Sequence, residues 1–256
     1  MKVELKRHDE IAVITLDRPE ALNALNAGML SLLSMAINEV ERSDARAVII
    51  TGAGPKAFCA GADIAELAQL NTNAKKQKSQ FGQSIFGRLD ALRMPSIALI
   101  NGYAFGGGFE LALSTTFRLA TPKAAVALPE VKLGLIPGYG GTQRLPRLIG
   151  ETRALEMIMS GRTVRAEEAF RIGLVSRLLD DENSLDQAIA FAREFTRHSL
   201  VTLQHAKNAV RQGLSASLAE GLEIEAELSV LAFTSEDAKE GITAFMEKRA
   251  PSFKDA

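Results

Sequence analysis

The chain contains no tryptophan, and aromatic residues make up only 5% of its 256 positions. Its 31 acidic and 30 basic residues nearly cancel, which leaves a formal net charge of −1. Surfaces that bind nucleic acids usually combine an excess of lysine and arginine with aromatic side chains on which bases stack. The composition therefore argues against DNA or RNA as a partner.

Long apolar runs and paired cysteines are also absent. No run approaches the roughly 20 apolar residues that cross a bilayer, and residues 1–10 read as an alternating strand instead of a signal peptide. Cys59 is the single cysteine, so no disulfide can form within the chain. Because disulfides are rare in the reducing cytoplasm, this fits a cytoplasmic protein, and we expect no membrane segment.

Several common kinds of site lack support in the sequence. His8, His198 and His205 do not have the spacing of metal ligands, and Cys59 has no base near it in the sequence. The nucleotide motifs G-x-x-x-x-G-K-[ST] and G-x-G-x-x-G are missing, as is the hydrolase motif G-x-S-x-G. We therefore expect no metal ion.

The first part of the chain alternates short apolar runs with helical stretches. The runs predicted as strands are 11–16, 47–51, 96–100 and 124–128. Asn26 is placed to cap a helix whose apolar residues recur at helical spacing. Such alternation predicts an α/β fold. By contrast, residues 67–83 show no clear pattern, and the lysine-rich run 75–78 is expected to be a solvated face.

From Glu151 onward the sequence predicts helix after helix. One helix carries an apolar face at 218–233. The last helix is predicted to start after the caps Thr234 and Ser235 and to hold Lys248 and Arg249 in its final turn, where cations favour the helix dipole. Helices of this kind usually pack against something, and a partner subunit is one candidate.

Two glutamates carry most of the functional information. Glu110 lies in the apolar stretch 101–113, and Glu130 lies in 127–134. Since an unpaired buried carboxylate is costly, a glutamate inside a run that reads as core needs a reason. Acid–base chemistry is one reason. The alternative is that both lie on solvated edges, as most glutamates do.

Each glutamate is close to glycines that expose the backbone. Gly106–Gly108 follow the 96–100 strand, and small residues at 60–62 follow the 47–51 strand. Free amides at two helix starts can converge on one carbonyl oxygen and stabilise negative charge there. Each cluster alone is weak support, because turns use glycine for backbone reasons. Together with two glutamates, they predict an amide-lined site.

The motifs resemble those of the crotonase superfamily, and the resemblance is strongest to the enoyl-CoA hydratases. It extends from Leu16 to Phe253. The matching segments are 60–64, 101–111, 129–134, 137–145 and 240–249. The resemblance implies a spiral of repeated β-β-α units over residues 1–198, with a helical oligomerisation region over 199–256. It also implies trimers, usually paired into hexamers.

The resemblance also implies a role for each matching residue. The amides of Ala62 and Gly107 would form an oxyanion hole for the thioester carbonyl of an acyl-CoA. Glu110 would help to activate a water molecule, Glu130 would exchange the proton at C2, and the amide of Gly138 would orient the water. Coenzyme A is part of the substrate, so no cofactor is expected.

Five further residues would contact the substrate: Ala60, Asp63, Ile64, Phe245 and Lys248. The family often has lysine at the positions of Glu20 and Ala65, where it contacts the CoA phosphates. Those two lysines are missing here, which leaves Lys248 as the matched candidate and the 75–78 run as a substitute.

The implied activity is the reversible hydration of a trans-2-enoyl-CoA to a 3-hydroxyacyl-CoA, in the degradation of fatty acids or related acyl-CoA compounds. Family members that only move a double bond often keep one of the two glutamates, and this chain keeps both. An isomerase or another CoA-thioester enzyme of the same fold remains an alternative. An RNA-binding relative of the hydratases is a more remote one, and the charge argues against it.

Overall fold

The computed structural model describes residues 1–256. The chain divides into two compact units, Met1–Ala192 and Arg193–Ala256. This division falls a few residues before the predicted boundary between residues 198 and 199. No helix combines the length and the apolar character that crossing a bilayer would require.

Ten strands form two sheets, both in the first unit. In chain order the strands are β1 (Lys2–His8), β2 (Ile11–Asp17), β3 (Ala47–Gly52), β4 (Ala57–Cys59), β5 (Ser96–Ile100), β6 (Tyr103–Phe105), β7 (Phe117–Ala120), β8 (Ala125–Ala127), β9 (Val164–Arg165) and β10 (Arg177–Leu178). The larger sheet has the order β1-β2-β3-β5-β7-β10, and the smaller has the order β4-β6-β8-β9.

Eleven α-helices connect and follow these strands. They are α1 (Ala27–Arg42), α2 (Ile64–Ala68), α3 (Thr72–Ala91), α4 (Gly107–Leu113), α5 (Gly141–Ile149), α6 (Glu151–Ser160), α7 (Ala166–Arg171), α8 (Ser184–Thr196), α9 (Leu200–Gly213), α10 (Leu218–Phe233) and α11 (Glu236–Glu247). Short 3-10 helices span Pro19–Ala21 and Pro129–Leu133.

Successive strands alternate between the two sheets. β3, β5 and β7 are neighbours in the larger sheet, and the strand that follows each of them, β4, β6 or β8, lies in the smaller one. Each β-β-α turn therefore adds one strand to both sheets, which confirms the predicted α/β spiral. All four apolar runs predicted as strands form strands, and β3 and β5 are buried along their whole length.

The helices follow the local signals where those signals are strong. The side chain of Asn26 accepts a hydrogen bond from the amide of Met29 at 2.8 Å, so it caps α1 as predicted. Residues 67–83 showed no clear pattern, and most of them lie in the long helix α3, Thr72–Ala91. Its apolar face is sparse, and its buried residues include Gly82, Phe86 and Lys78.

The second unit ends differently from the prediction. Ser235 caps α11, but Thr234 follows the last residue of α10 instead of capping α11. Lys248 lies just beyond α11 in the left-handed conformation, with φ of 54°, and the last turn of the helix contains no basic residue. The prediction that Lys248 and Arg249 lie inside that turn was wrong. Arg249 instead pairs with Glu240 at 2.6 Å.

Candidate active site

Three neighbouring parallel strands of the smaller sheet point toward one region. β4 leads into residues 60–62, β6 leads into Gly106 and Gly107, and β8 leads into residues 128–130. In α/β folds, ligands bind at the carboxyl ends of such strands because the loops there lie side by side. The sequence segments singled out above are thus brought together by the strand order β4-β6-β8.

Glu110 lies in the first turn of α4, and only 1% of its surface is exposed. Its Oε1 accepts hydrogen bonds from the amides of Tyr139 at 2.8 Å and Gly141 at 2.7 Å. Burial raises the pKa of Glu110, and these amides, followed by the charge of Arg144 and the amide of Gly138, oppose the rise. Gly138 therefore lies beside this carboxylate, and its role in orienting a water molecule stays a prediction.

Glu130 lies in the 3-10 helix that follows β8. Burial is the main cause that raises its pKa to about 7, and the negative charge of Glu110 adds to the rise. Its Oε2 is buried and has no hydrogen-bond partner. A carboxyl group of this kind changes its protonation state near neutral pH, which is what a catalytic acid or base requires.

The backbone amides of Ala62 and Gly107 lie close together. A Cβ atom at Gly107 would lie 3.3 Å from the amide nitrogen of Ala62, and one at Gly61 would lie 3.6 Å from the amide nitrogen of Gly107. Neither amide donates to another backbone group. Gly107 is the first residue of α4, where amides have no partner in the helix. Two such donors can stabilise charge on one carbonyl oxygen.

Glycines make this close approach possible. A Cβ at Gly108 would collide with the carbonyl oxygen of Cys59, and a Cβ at Gly106 would lie 2.9 Å from Oε1 of Glu130. Gly106 also has φ of 49°, a conformation that residues with a side chain rarely adopt. The glycine cluster is therefore required by packing and by backbone geometry.

The loop before α1 holds the segment that carries Ala62. The amide of Ala60 donates to Leu22 O at 2.9 Å, Leu25 donates to Gly61 O at 2.7 Å, and Asp63 donates to Leu25 O at 3.1 Å. Arg18 Nη1 donates to Asp63 Oδ2 at 2.9 Å, and the bond lowers the pKa of Asp63. The amide of Ala62 takes no part in this network, whereas hydrogen bonds hold the residues on both sides of it.

The predicted substrate contacts differ in their location and in their exposure to solvent. Ala60 and Asp63 adjoin Ala62, and Asp63 also caps α2 through the amide of Glu66. Ile64 is 48% exposed. Phe245, 85% exposed, and Lys248 belong to the second unit, and their part in substrate binding stays a prediction.

The lysine-rich run 75–78 is a solvated face only in part. Lys75 and Lys76 are exposed, but Lys78 is buried and pairs with Glu66. Glu66 in turn accepts the amide of Ala27 at 3.1 Å. The partner of Lys78 lies 12 residues earlier in the chain, so the run by itself did not predict the pair.

Sequence reasoning missed Tyr139 and Arg144. Tyr139 binds Glu110 through its amide, and Arg144 Nη1 donates to Tyr139 O at 3.0 Å. Arg144 also binds Asp90 on α3 at 2.6 Å. The available signal was a bulky residue inside the glycine-rich segment 138–141.

Groups of three or more side chains suited to a metal ion are absent. Cys59 is buried, and burial raises the pKa of its thiol to about 12. The thiol therefore stays protonated at neutral pH and is a poor nucleophile.

Known proteins share both the sequence and the fold of this chain. The family model described as enoyl-CoA hydratase/isomerase matches residues 6–256. The short-chain-enoyl-CoA hydratase of Clostridium acetobutylicum is 40% identical over 96% of this chain and 95% of its own length. The crotonyl-CoA hydratase of Syntrophomonas wolfei is 39% identical over 97% of this chain and 96% of its own.

A solved structure gives the same answer. The crystal structure of an enoyl-CoA hydratase from Bacillus anthracis superimposes with a TM-score of 0.95 over 100% of both chains, at 36% identity. With the family model covering nearly the whole sequence and with relatives at about 40% identity, the chain belongs to the enoyl-CoA hydratase/isomerase family.

Proposed function

We propose that the protein is an enoyl-CoA hydratase, which adds water reversibly to a trans-2-enoyl-CoA thioester to give a 3-hydroxyacyl-CoA. The observation that carries the proposal is a pair of carboxyl groups, the buried Glu110 and the partly buried Glu130, beside the two unengaged amides of Ala62 and Gly107. The names of the similar proteins from Clostridium acetobutylicum and Syntrophomonas wolfei support it.

The amides of Ala62 and Gly107 form the oxyanion hole. They donate to the thioester oxygen, which draws electrons from the double bond and makes C3 electrophilic. The negative charge that develops on this oxygen is stabilised by donors already in position, which is the largest single contribution in many enzymes. The chemistry proceeds without a cofactor, because coenzyme A is carried by the substrate.

The two carboxyl groups move the protons. Glu110, as the carboxylate, accepts a proton from water while the water oxygen bonds to C3, and the amide of Gly138 helps to orient this water. Glu130, in its protonated form, gives a proton to C2 as the enolate collapses. One hydroxyl group and one hydrogen are thereby added, and proton exchange with solvent returns both glutamates to their starting states.

Coenzyme A contacts and assembly complete the proposal. Ala60, Asp63 and Ile64 lie beside the oxyanion hole, whereas Phe245 and Lys248 would act at the site of a neighbouring subunit in a trimer or hexamer. Of the lysines 75–78, the buried Lys78 is taken by Glu66, so only the exposed ones are free for phosphate. A cytoplasmic location is part of the same proposal.

A direct assay tests the activity. Purified protein mixed with crotonyl-CoA should remove the ultraviolet absorbance of the conjugated thioester and yield 3-hydroxybutyryl-CoA. A parallel reaction with a trans-3-enoyl-CoA measures double-bond migration. Fast hydration with slow migration supports the proposal, and the reverse result would identify an isomerase.

A further inference from the structure

The ring of Tyr139 is enclosed at the edge of the candidate site. Only 4% of the residue is exposed, although its neighbours in the segment 138–141 are all glycines. The ring lies against Phe86 of α3 in an edge-to-face contact, with centroids 5.5 Å apart and planes at 77°. A large rigid side chain therefore occupies a loop that otherwise exposes only backbone.

Two glycines make room for this ring. A Cβ at Gly82 of α3 would lie 2.5 Å from ring carbons Cδ1 and Cε1, and a Cβ at Gly107 of α4 would lie 2.9 Å from Cδ2. The ring is thus held between α3 on one side and the proposed oxyanion donor on the other. Since real Cβ atoms do not approach so closely, neither glycine can gain a side chain unless the ring moves.

The phenolic hydroxyl does not explain why the residue is there. It is buried and has no hydrogen-bond partner. A buried polar group without a partner destabilises the fold, and phenylalanine would avoid that cost at nearly the same volume. The structural contribution of Tyr139 is therefore the space that its ring fills.

That space lies where the acyl chain of a substrate would continue. In the proposed function the thioester oxygen is at Ala62 and Gly107, and C3 is between Glu110 and Glu130. The backbone of Tyr139 binds Glu110, and its ring covers Gly107. The ring is therefore the bulky side chain beside the place that the proposed function assigns to the reacting carbons, where the next carbon atoms of the acyl chain would extend.

We propose that Tyr139 limits the length of the acyl chain and restricts the protein to short-chain 2-enoyl thioesters. This inference rests on the proposed hydratase function and specifies its substrate class. Tyr139 acts as a specificity-determining residue through the volume of its ring, and Gly82 acts indirectly because it permits the position of the ring.

The first experiment measures kcat/KM for trans-2-enoyl-CoA thioesters of four, six, eight, ten and twelve carbons. The wild-type protein should favour the four- and six-carbon substrates. Tyr139→Ala keeps the backbone amide that binds Glu110, and it should raise the ratio of ten-carbon to four-carbon kcat/KM by roughly tenfold or more, since a few methylene groups in a pocket discriminate on this scale.

Two control variants separate volume from other effects. Tyr139→Phe removes only the hydroxyl and should leave the chain-length ratio within about twofold of the wild type. Phe191→Leu changes a buried aromatic residue that packs on Phe117, apart from the contact between Tyr139 and Phe86. It should leave the chain-length ratio unchanged, which would show that loosening the core elsewhere does not alter specificity.

A second experiment depends on the contact with Gly82. Gly82→Ala should push the ring toward the site and lower kcat/KM for every chain length. In the Tyr139→Ala background the same substitution should have little effect, because the ring that it displaces is gone. Such a loss of effect in the double variant is the signature of direct contact.

The outcomes separate the two proposals. A wild type that hydrates crotonyl-CoA but whose Tyr139→Ala variant keeps the same chain-length ratio overturns the specificity proposal alone. A wild type that already prefers ten carbons also overturns it. A wild type that hydrates no thioester overturns the proposed function itself. If Tyr139→Ala is unstable by thermal melting, Tyr139→Leu and the Gly82→Ala variant decide the question.

Discussion

At the scale of single residues, burial raises the pKa of both Glu110 and Glu130, but their hydrogen bonds differ. Glu110 accepts two backbone amides, which oppose the rise of its pKa. Glu130 has a buried oxygen without a partner and a pKa of about 7, so its neutral form is well populated at neutral pH. Two carboxyl groups in different surroundings can serve as base and acid in one reaction.

Replacing either glutamate with glutamine should remove most of the activity. We expect Glu110→Gln and Glu130→Gln each to lower kcat by roughly 10²–10⁴, which is the range for the loss of a positioned acid or base. The double variant should be far less than multiplicatively worse, because the two groups act together in one addition reaction. Steady-state hydration of crotonyl-CoA measures this. Near-normal turnover in a single variant would show that its residue has another role.

The pKa of Glu130 sets the expected pH dependence. Hydration needs the protonated acid, so kcat/KM for hydration should fall as the pH rises through about 7. Because the addition of water takes up no net proton, its equilibrium constant does not depend on pH, and kcat/KM for dehydration of 3-hydroxybutyryl-CoA should fall over the same interval. Initial rates of the wild type and of Glu130→Gln from pH 5 to 9 test this, since the residual activity of the variant should lose the dependence. A wild-type profile that stays flat through pH 7 would argue against Glu130 as the group that exchanges the C2 proton.

The same pKa predicts an effect on stability. Folding raises the pKa of Glu130 from about 4.5 to about 7, so its ionisation destabilises the folded state as the pH rises through that range. Glu130→Gln should therefore have a larger free energy of unfolding than the wild type at pH 8, by on the order of 1–3 kcal/mol after allowance for solvent screening, and a higher melting temperature. The difference should shrink toward pH 4.5. An equal difference at every pH would assign the effect to packing.

Single residues were predictable where their own sequence neighbourhood carried the reason. Glu110 and Glu130 stood out because they interrupt apolar runs beside glycines. Tyr139 did not, since its significance depends on Gly82, which is far from it in the sequence and contributes only by lacking a side chain. The sequence around Tyr139 therefore gives no sign that a distant glycine leaves space for its ring.

At the scale of elements, the short helix α2 and the loop that precedes α1 determine where the Ala62 amide points. Arg18 reaches Asp63, the cap of α2, across 45 positions of sequence, and also donates to Ala24 O at 3.3 Å. The segment between β4 and α2 is thus fixed by another element and not by its own conformation.

Arg18→Ala should loosen this connection. We expect kcat to fall by roughly 10- to 100-fold, because a small displacement of a positioned donor is costly. Arg18→Lys, which can still pair with Asp63, should recover part of the loss. Arg7→Ala removes a more exposed arginine–aspartate pair, with Asp44, and serves as the control. If Arg18→Ala changes only KM, the pair contributes to substrate binding and not to the position of Ala62.

Elements were predictable where periodicity was strong and less so where distant partners decide. α1 matched its cap and its apolar spacing. α3 did not show a clear pattern because its buried face includes Lys78, whose charge is balanced by Glu66 of α2. The end of α11 was misplaced because Lys248 adopts a left-handed conformation that the sequence alone does not mark.

At the scale of the whole molecule, α10 presents apolar residues to solvent in the single chain. Leu218, Leu222, Val230 and Phe233 are all exposed, and α10 has no buried residue. Patches of this kind commonly mark surfaces between protein chains. This supports the proposed trimer or hexamer, in which α10 would be covered by another subunit.

Charge on that face should disrupt assembly. Leu222→Asp combined with Val230→Asp should convert the oligomer to smaller species, because an interface would then bury two unpaired carboxylates. Sedimentation velocity measures the change, and Glu223→Gln on the same helix is the control. Circular dichroism should confirm that the variant is folded. Unchanged sedimentation would place the interface elsewhere.

The side-by-side order of β4, β6 and β8 also bears on which changes of length the gene can tolerate. Ala62, Gly107 and Glu130 each follow the end of their strand within a few residues, whereas α2 and α3 fill the long connection between β4 and β5. An insertion within α3 changes the helix beside the site but leaves the ends of β4, β6 and β8 in register. An insertion between Cys59 and Ala62 moves the donor itself. We therefore expect a change of length to be tolerated in the connections and to abolish activity in the few residues after each strand.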